Sequence, residues 1–388
     1  MLEGLLPYRF RYSWRPKSCS MLRTFRNFHN LKVITTYVGV LIILFTIVPY
    51  IPLEHWSVRA FDFPHIQLTL FTGVVLVLRI LFFTKSSKKD YLLVTALTAC
   101  FIFQGFKILP YTVIGKYEVE NASDNALETL SVYTSNVLQE NDEKDLVVTD
   151  TERFDADIVL FTETNAAWIK YLNDRLKKKY RYSIEVPKEN TYGMVLYSKF
   201  ELKQVNVKYL VEDTIPSIHA RVTLPSQKRI QLYAIHPAPP TPMHNPLSLD
   251  RDAELMQIGR LSKSSNLPII VMGDFNDVAW SETTSLFQSY SGLLDLRKGR
   301  GLFNTYNANY WFLRWPLDHV FVSPEFRVLE VGLGSHVGSD HFPFCTHLAL
   351  EPRKALEQEL PVPTEETVDD ALEQLEEEKA HDRFQKSR

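Results

Sequence analysis

The stretch VMGDFNDVAW, residues 271–280, joins an apolar run to a carboxylate, an amide and a second carboxylate within four positions. The apolar run is typical of a buried strand, and Gly273, Asp274, Asn276 and Asp277 are residue types that form turns. Read alone, the stretch therefore fits an ordinary strand end as well as a chemical site. A comparison with the other strand ends of the chain separates the two interpretations.

The charge of the chain is unevenly distributed. The total over 388 residues is −3, but basic residues are in excess before residue 33 and acidic residues dominate the last forty or so. A weakly acidic total argues against a protein whose main affinity is for nucleic-acid phosphates, although it does not exclude a nuclease. The three cysteines predict no disulfide framework, and no repeat of solenoid or propeller length is present.

Three long apolar runs occupy the first third of the chain, at residues 33–52, 63–83 and 91–110. Each has about the 20 residues that cross the hydrocarbon core of a bilayer, so they predict three transmembrane helices. A buried core helix is the alternative for each run. The first run is too long for a cleaved signal peptide. Arg79, near the end of the second run, is expected to extend its charged group to the lipid headgroups.

The basic residues predict the orientation of these helices. Seven Lys or Arg residues precede the first run, and the loop at residues 84–90 contains KSSKKD. The positive-inside rule therefore places the basic N-terminal segment 1–32 and this loop in the cytoplasm. Three crossings of the inner cell membrane then put everything after residue 110 on the periplasmic or extracellular side.

Residues 117–350 show short strand-like runs separated by polar segments. The runs are ETLSVYTSNV, ADIVLFTE, YGMVLYS, SIHARVTL, RIQLYAIH, LPIIVMGD, LDHVFVS and FCTHLAL, with helical patterns in AAWIKYLNDRLKKKY and DRDAELMQIGRLSKSS. Many strands and a few helices predict an α+β domain built on two packed sheets. Residues 351–388 form an acidic tail, which we expect to be a solvated helix or disordered.

Polar residues recur where these apolar runs begin or end. Singly, each would serve as a cap or a turn, but together they indicate a site gathered from distant parts of the chain. Their carboxylate and amide oxygens suit a hard cation such as Mg²⁺ or Mn²⁺, whereas the Cys pairs or His-x-x-x-His spacing that hold zinc are missing from the sequence. The residues are Asn136, Glu163, His236, Asp274, Asn276, Asp318, Asp340 and His341.

The motifs SN, FTE, HP, GDFN, LDHVFVS and SDHFP follow one another in this order. Together they resemble the endonuclease/exonuclease/phosphatase superfamily, the metal-dependent phosphoesterases related to deoxyribonuclease I, AP endonucleases, neutral sphingomyelinases and inositol polyphosphate phosphatases. The resemblance covers most of residues 117–350 and implies a four-layer α/β sandwich of two mixed β-sheets flanked by helices. With the apolar runs, the chain is similar to a bacterial, membrane-anchored branch of that superfamily.

The resemblance implies a metal site and a water-activating pair. Glu163 would be the principal ligand of Mg²⁺ or Mn²⁺, with Asn136 beside it as a further metal ligand and Asp340 as a second acidic residue at the metal. Asp274 and Asn276 would position the attacking water and contact the scissile phosphate.

The resemblance also implies two histidines. His341 would be the essential imidazole, and Asp318 would accept a hydrogen bond from it, which fixes its tautomer and stabilises its charged form. His236 would be a phosphate ligand or an acid. Whether Asp274 or His341 accepts the proton of the water stays open. Leu138 replaces an acidic residue of several family members, so a second metal is not supported.

Four further residues are candidates for roles at or near the site. Asp277 fits a turn or a helix cap better than a catalytic role. Arg314 could bind a substrate phosphate or belong to an exposed loop. Thr305 and Tyr306 lie where the resemblance implies a substrate-recognition loop and could contact a phosphate or a headgroup.

The function expected from these features is a membrane-anchored, Mg²⁺- or Mn²⁺-dependent phosphodiesterase. Its substrate could be a phospholipid headgroup, a nucleic acid or a small phosphate ester. Tethering beside a bilayer favours lipid, and the acidic total disfavours long nucleic acid. The alternatives are a catalytically inactive protein that binds a partner or lipid through the same cleft, and a membrane sensor.

Overall fold

The computed structural model describes residues 18–242 and 245–386 and divides into two compact units. Within the described part, residues 18–46 and 68–102 form the first unit, and residues 47–67 with 103–386 form the second. Residues 1–17 of the predicted basic segment lie outside the described residues.

Long apolar helices dominate the first unit. The helices of the N-terminal third are α1 (Ser18–Ile47), α2 (Trp56–Arg59), α3 (His65–Leu81) and α4 (Lys88–Ile108). Among the described residues, Asn30–Tyr50 and Lys88–Tyr111 are long and apolar enough to cross a membrane by length and composition. Helix α3 has 17 residues and is shorter than the run that predicted it. Two of the three predicted spans are thus supported in length.

Arg79 is buried and paired within the first unit, and its expected extension to lipid headgroups stays a prediction. Its side chain is buried, and Nη2 lies 2.7 Å from Oδ1 of Asp90 at the start of α4. Nη1 donates to the carbonyl oxygen of Lys32 at 3.0 Å. A buried guanidinium needs a carboxylate and carbonyl partners, and the first turn of the next helix supplies the carboxylate.

Two six-stranded sheets form the second unit. The strands are β1 (Thr129–Asn136), β2 (Ile158–Thr162), β3 (Tyr182–Val186), β4 (Met194–Ser198), β5 (Glu201–Lys208), β6 (Ser217–Thr223), β7 (Arg229–Ile235), β8 (Ile269–Asp274), β9 (Leu294–Asp295), β10 (Asp318–Val322), β11 (Phe326–Leu333) and β12 (Phe344–Leu350). One sheet has the order β11-β12-β1-β2-β4-β3 and the other β5-β6-β7-β8-β10-β9. Pairs β1–β2 and β7–β8 are parallel, and the other pairs are antiparallel.

Helices cover the outer faces of both sheets. They are α5 (Lys144–Phe154) and α6 (Ala166–Leu176) on the first sheet, and α7 (Leu249–Lys263), α8 (Glu282–Ser291) and α9 (Glu365–Lys386) on the second. The inward faces of the two sheets meet in one apolar core. Strands β2 and β8 are buried throughout because each lies between that core and a helical layer. The predicted four-layer sandwich of two mixed sheets is confirmed.

The acidic tail is a packed helix and differs from the expectation of a solvated or disordered segment. Ala371 and Leu375 of α9 are buried in the apolar cluster of α7 and α8, and Val368 packs against the same cluster. These positions recur at helical spacing, which gives α9 one apolar face along an otherwise charged helix. The second unit therefore extends past residue 350.

The second unit also extends to the N-terminal side of the predicted range, because residues 47–67, here named the connecting segment, belong to it. The backbone N–H of Trp56 donates to the carbonyl of Pro246 at 2.8 Å. Trp280 Nε1 donates to the carbonyl of Asp62 at 2.7 Å, and Ser248 Oγ donates to Glu54 Oε2 at 2.6 Å. These bonds attach the link between α1 and α3 to the sandwich.

Candidate active site

Strand register places four of the predicted site residues at strand ends. In the parallel pair β1–β2, Asn136 lies beside Thr162, so Glu163 follows directly at the same edge. In the parallel pair β7–β8, Ile235 lies beside Gly273, so His236 and Asp274 emerge together. Carboxyl ends of parallel strands share one edge of a sheet, and each sheet thus contributes one adjacent pair.

The antiparallel partner of β8 and the last loop complete the group. Asp318 opens β10 directly opposite Asp274. His341 lies between these two carboxylates, with Nδ1 2.7 Å from Asp318 Oδ2 and Nε2 3.7 Å from Asp274 Oδ2. His236 approaches Asp274 Oδ2 from another direction, also at 3.7 Å. One buried carboxylate is therefore faced by two imidazoles.

Asn136 links the ends of the two sheets. Its Nδ2 donates to Glu163 Oε1 at 2.8 Å and to Asp274 Oδ2 at 3.0 Å. Its Oδ1 accepts from the backbone N–H of Leu138 at 3.0 Å. In this arrangement the amide presents its donor to both carboxylates. The amide of Asn136 thus holds Glu163 and Asp274 in position, and its expected role as a metal ligand stays a prediction.

Backbone geometry at the strand ends is unusual. Glu163 and Asn276 have φ values of 61° and 51°, a left-handed conformation that non-glycine residues adopt at a cost. Gly273 has φ 140°, and a Cβ atom there would lie 2.0 Å from the carbonyl oxygen of Ile235. The GDFN motif therefore requires glycine at its first position, because β7 and β8 approach closely there.

The site residues surround one cavity of about 660 Å³. Six of the eight predicted residues line it, and the other two, His236 and Asp318, are buried beside Asp274 and His341. The sequence-predicted set is thus brought together in full, and the catalytic roles of its members stay predictions. The six lining residues are Asn136, Glu163, Asp274, Asn276, Asp340 and His341.

Two pKa shifts follow from the burial of charge. Burial alone would lower the pKa of His341, but the charges of Asp318 and Asp274 outweigh it and raise the pKa to about 10. His341 is therefore protonated at neutral pH. Burial raises the pKa of Glu163, although His236 and the hydrogen bond from Asn136 oppose that shift.

The donor set fits a hard divalent cation on the Glu163 side of the cavity. Glu163 and Asp340 bring carboxylates to the cavity, and Arg59, the one Lys or Arg among the described lining residues, is paired with Glu54 through Nε at 3.0 Å. An added cation would offset this uncompensated negative charge.

A second group of possible ligand atoms fits a cation less well. Atoms of Asp274, Asp318 and His341 lie within 4.8 Å of one another. In that group Nδ1 of His341 is already bonded to Asp318, and the raised pKa of the ring disfavours the neutral form that binds a metal.

The structure also places the four further candidates, Asp277, Thr305, Tyr306 and Arg314. Asp277 accepts a hydrogen bond from Ser281 Oγ at 2.7 Å, and Ser281 caps α8, so Asp277 supports a helix start. Thr305 is buried, and its Oγ1 accepts from the backbone N–H of Asp318 at 3.1 Å. Tyr306 lines the cavity. Arg314 donates to the backbone carbonyls of residues 308 and 310, which makes it part of its own loop.

Sequence reasoning missed two contributors to the site. Arg251 is fully buried in α7, and its Nη1 donates at 3.1 Å to the carbonyl of Asn276, the residue with the left-handed backbone. An arginine on an amphipathic helix pattern gives no signal of such burial. The connecting segment contributes Trp56, Arg59 and Phe63 to the cavity wall, although the sequence indicated a link for Trp56 and Arg59 and the start of an apolar run for Phe63.

Comparisons with known proteins identify the family of the chain. The model of the Endonuclease/Exonuclease/phosphatase family matches residues 132–341, more than half of the chain. The chain belongs to this family, and membership supports a hydrolase that acts on phosphate esters. No curated protein matches the chain.

Solved structures show similar folds at low identity. An endonuclease/exonuclease/phosphatase from Beutenbergia cavernae is 19% identical over 58% of this chain and 72% of its own, with a TM-score of 0.49. A mannosyl-6-phosphatase from Bacteroides thetaiotaomicron is 20% identical over 57% of this chain and 100% of its own, with a TM-score of 0.47. TDP2 of D. rerio, complexed with a single-strand DNA product, is 16% identical over 57% of this chain and 98% of its own, with a TM-score of 0.48.

Proposed function

We propose that this protein is a membrane-anchored, divalent-metal-dependent phosphodiesterase that hydrolyses its substrate by in-line attack of water. The observation that carries the proposal is the convergence of Glu163, Asp274 and His341 on one cavity, with Asn136 bonded to both carboxylates. In-line attack builds negative charge on the phosphate oxygens, and such a site needs donors for that charge and an acceptor for the proton of water.

The side chains divide these tasks according to their charge. His341 holds its proton because its pKa is raised to about 10, so Nε2 is the donor to a phosphate oxygen and a poor base at neutral pH. The Asp274 carboxylate accepts hydrogen bonds from Asn136 Nδ2 at Oδ2 and from the backbone N–H of Asn276 at Oδ1. Asp274 is thus the carboxylate that orients the water and takes its proton. Asp318 keeps Nδ1 of His341 protonated and the ring fixed.

A divalent cation belongs to the same proposal. Glu163 and Asp340 would hold it, with Asn136 fixing the Glu163 carboxylate in place. When bound, Mg²⁺ or Mn²⁺ supplies positive charge beside the phosphate oxygens. The carboxylate-rich lining of the cavity supports this part of the proposal.

The catalytic unit is proposed to lie on the non-cytoplasmic side of the inner membrane. Two helical segments of sufficient length and the basic loop between α3 and α4 support this topology. A reporter fused after residue 116 should behave as non-cytoplasmic. A cytoplasmic readout from that fusion would overturn the three-span arrangement.

The chemistry is tested with the full chain purified in detergent. The rate of hydrolysis of bis(4-nitrophenyl) phosphate is measured with Mg²⁺, with Mn²⁺ and with chelator, beside the variant Asp274→Asn. We expect metal-dependent turnover that the variant loses by a factor of about 10³. Turnover that survives the chelator, or that Asp274→Asn retains, contradicts the proposal.

A further inference from the structure

The cavity has one polar and one apolar side. The polar side carries the carboxylates and the imidazole described above, and the apolar side carries Trp56, Phe63, Pro64, Tyr306, Trp315 and Leu317. An apolar surface beside a polar one suits an amphipathic substrate. The wall therefore indicates an apolar group in the substrate.

An aromatic row, formed by Phe63, Trp315 and Tyr306, runs along this wall to the catalytic imidazole. The rings of Phe63 and Trp315 meet edge to face with centroids 5.8 Å apart. Trp315 stacks on Tyr306 at 6.1 Å, and the Tyr306 ring lies 4.9 Å from that of His341. The row begins in the connecting segment and ends at the reacting group, so an apolar substrate chain could follow it to the phosphate.

The chain runs directly from this wall into an apolar helix. Pro64 lines the cavity, and α3 begins at the next residue, His65. Gln67 in the first turn of α3 donates from Nε2 to the carbonyl oxygen of Phe312 at 2.7 Å. The cavity wall is therefore continuous in sequence with an apolar helix, and a neighbouring loop is bonded to the start of that helix.

That neighbouring loop, residues 310–313, has the sequence YWFL and is named here the aromatic loop. Trp311 is 85% exposed, Tyr310 58% and Leu313 44%. Three large apolar side chains on one exposed loop are costly in water, and Trp and Tyr are enriched where proteins meet the headgroup region of a bilayer. The loop fits a lipid surface.

The charges of the cavity favour lipid over nucleic acid, although bases also stack on aromatic rings. Binding of a nucleic-acid backbone needs clustered Lys and Arg. Arg59 is the one such residue among the described residues that line the cavity, and Glu54 already pairs with it. The net charge of the chain is −3.

We propose that the substrate is a bilayer phospholipid, whose acyl-bearing part lies along the aromatic row while the aromatic loop rests on the lipid surface. This inference rests on the proposed phosphodiesterase activity and names its substrate class. The water oxygen joins phosphorus, one phosphorus–oxygen ester bond breaks, and the released alcohol takes one proton of the water. The products are a phosphomonoester and an alcohol.

The test uses the full chain and three esters with the same headgroup. They are glycerophosphoethanolamine, monomeric dihexanoyl phosphatidylethanolamine, and long-chain phosphatidylethanolamine in vesicles that contain phosphatidylglycerol. We expect kcat/KM to be at least about a hundredfold higher for the dihexanoyl ester than for its deacylated counterpart. Long-chain lipid in the vesicles should also be cleaved, which separates a membrane source from a soluble amphiphile.

Single-residue variants test whether the aromatic row and the aromatic loop cause the preference for acylated esters. Phe63→Ala should lower kcat/KM about tenfold more for the dihexanoyl ester than for the deacylated ester, through KM, with partial recovery in Phe63→Leu. Trp311→Ala should slow hydrolysis in vesicles without changing it for the monomeric ester. Tyr209→Ala, an exposed aromatic residue outside the cavity, is the control and should change neither rate.

The outcomes distinguish this inference from the proposed function. If bis(4-nitrophenyl) phosphate and all three esters remain intact, the phosphodiesterase assignment fails and the lipid inference fails with it. If the chromogenic ester is hydrolysed but acylated and deacylated esters react equally, or a single-stranded oligonucleotide reacts faster than either, the lipid inference alone is overturned.

Discussion

Replacing Asp318 by Asn should lower the pKa of the His341 imidazole. Asp318 is fully buried and its Oδ2 lies 2.7 Å from Nδ1 of His341. Asparagine keeps the shape and removes the charge. Losing the partner of a buried ion pair costs about 3 kcal/mol. One pKa unit corresponds to about 1.4 kcal/mol, so the pKa of His341 should fall by about two units.

The direction of the pH effect follows from the raised pKa. In the native protein His341 keeps its proton until the pH approaches a pKa of about 10, so its donor role persists through the neutral and mildly alkaline range. In Asp318→Asn the same role should disappear as the pH rises through about 8, because the pKa is about two units lower. Activity should therefore fall at a lower pH in the variant.

The assay is the rate of diester hydrolysis from about pH 6 to about pH 10, for both proteins, with the ¹⁵N shifts of the His341 ring as an independent titration. Asp145→Asn removes an exposed carboxylate and is the control. We expect no change in the alkaline limb of its pH–rate profile. If Asp318→Asn shows the native alkaline limb and the native ring titration, the pairing does not set the charge of His341 and the reasoning is refuted.

Three further predictions concern backbone geometry, the metal and the tail. Gly273→Ala should destabilise the protein by about 3 kcal/mol because its Cβ would meet a backbone oxygen, whereas Gly332→Ala, with open space around it, should leave the melting temperature unchanged. Glu163→Gln should weaken Mn²⁺ binding, measured by electron paramagnetic resonance, by at least about tenfold, and native affinity in the variant would exclude this carboxylate as a ligand. Leu375→Asp should lower the melting temperature strongly because the side chain is buried, and the exposed Leu372→Asp should not; equal effects would contradict the packed tail.

The sequence predicted the interior of both sheets and missed their edges. The eight predicted runs correspond to the inner strands, whereas β3, β5, β9 and β11 are the four edge strands. An inner strand is covered on both faces and is therefore strongly apolar. Strand β5 reads ELKQVNVK with most of its residues exposed, and β9 has two residues, so neither carries the apolar pattern that identifies a strand.

The site was predictable for a related reason. Residues such as Glu163, Asp274 and Asp318 stand where an apolar run meets a polar residue, and that boundary is visible in the sequence. Site residues that do not lie at such a boundary were not predicted from the sequence. Arg251 sits within a helical pattern, and Phe63 reads as part of an apolar run. Their roles depend on packing between distant segments, which sequence periodicity does not encode.

The central claim is that Asp274 and His341 act on the same phosphate as parts of one hydrolytic centre. The most direct test is the rate of diester hydrolysis by Asp274→Asn, by His341→Gln and by the double variant. Residues that act as a unit are non-additive, so we expect each single variant to lose a factor of about 10³ and the double variant to be no more than about tenfold slower than either. Losses that multiply in the double variant, or a single variant with native turnover, would contradict the account.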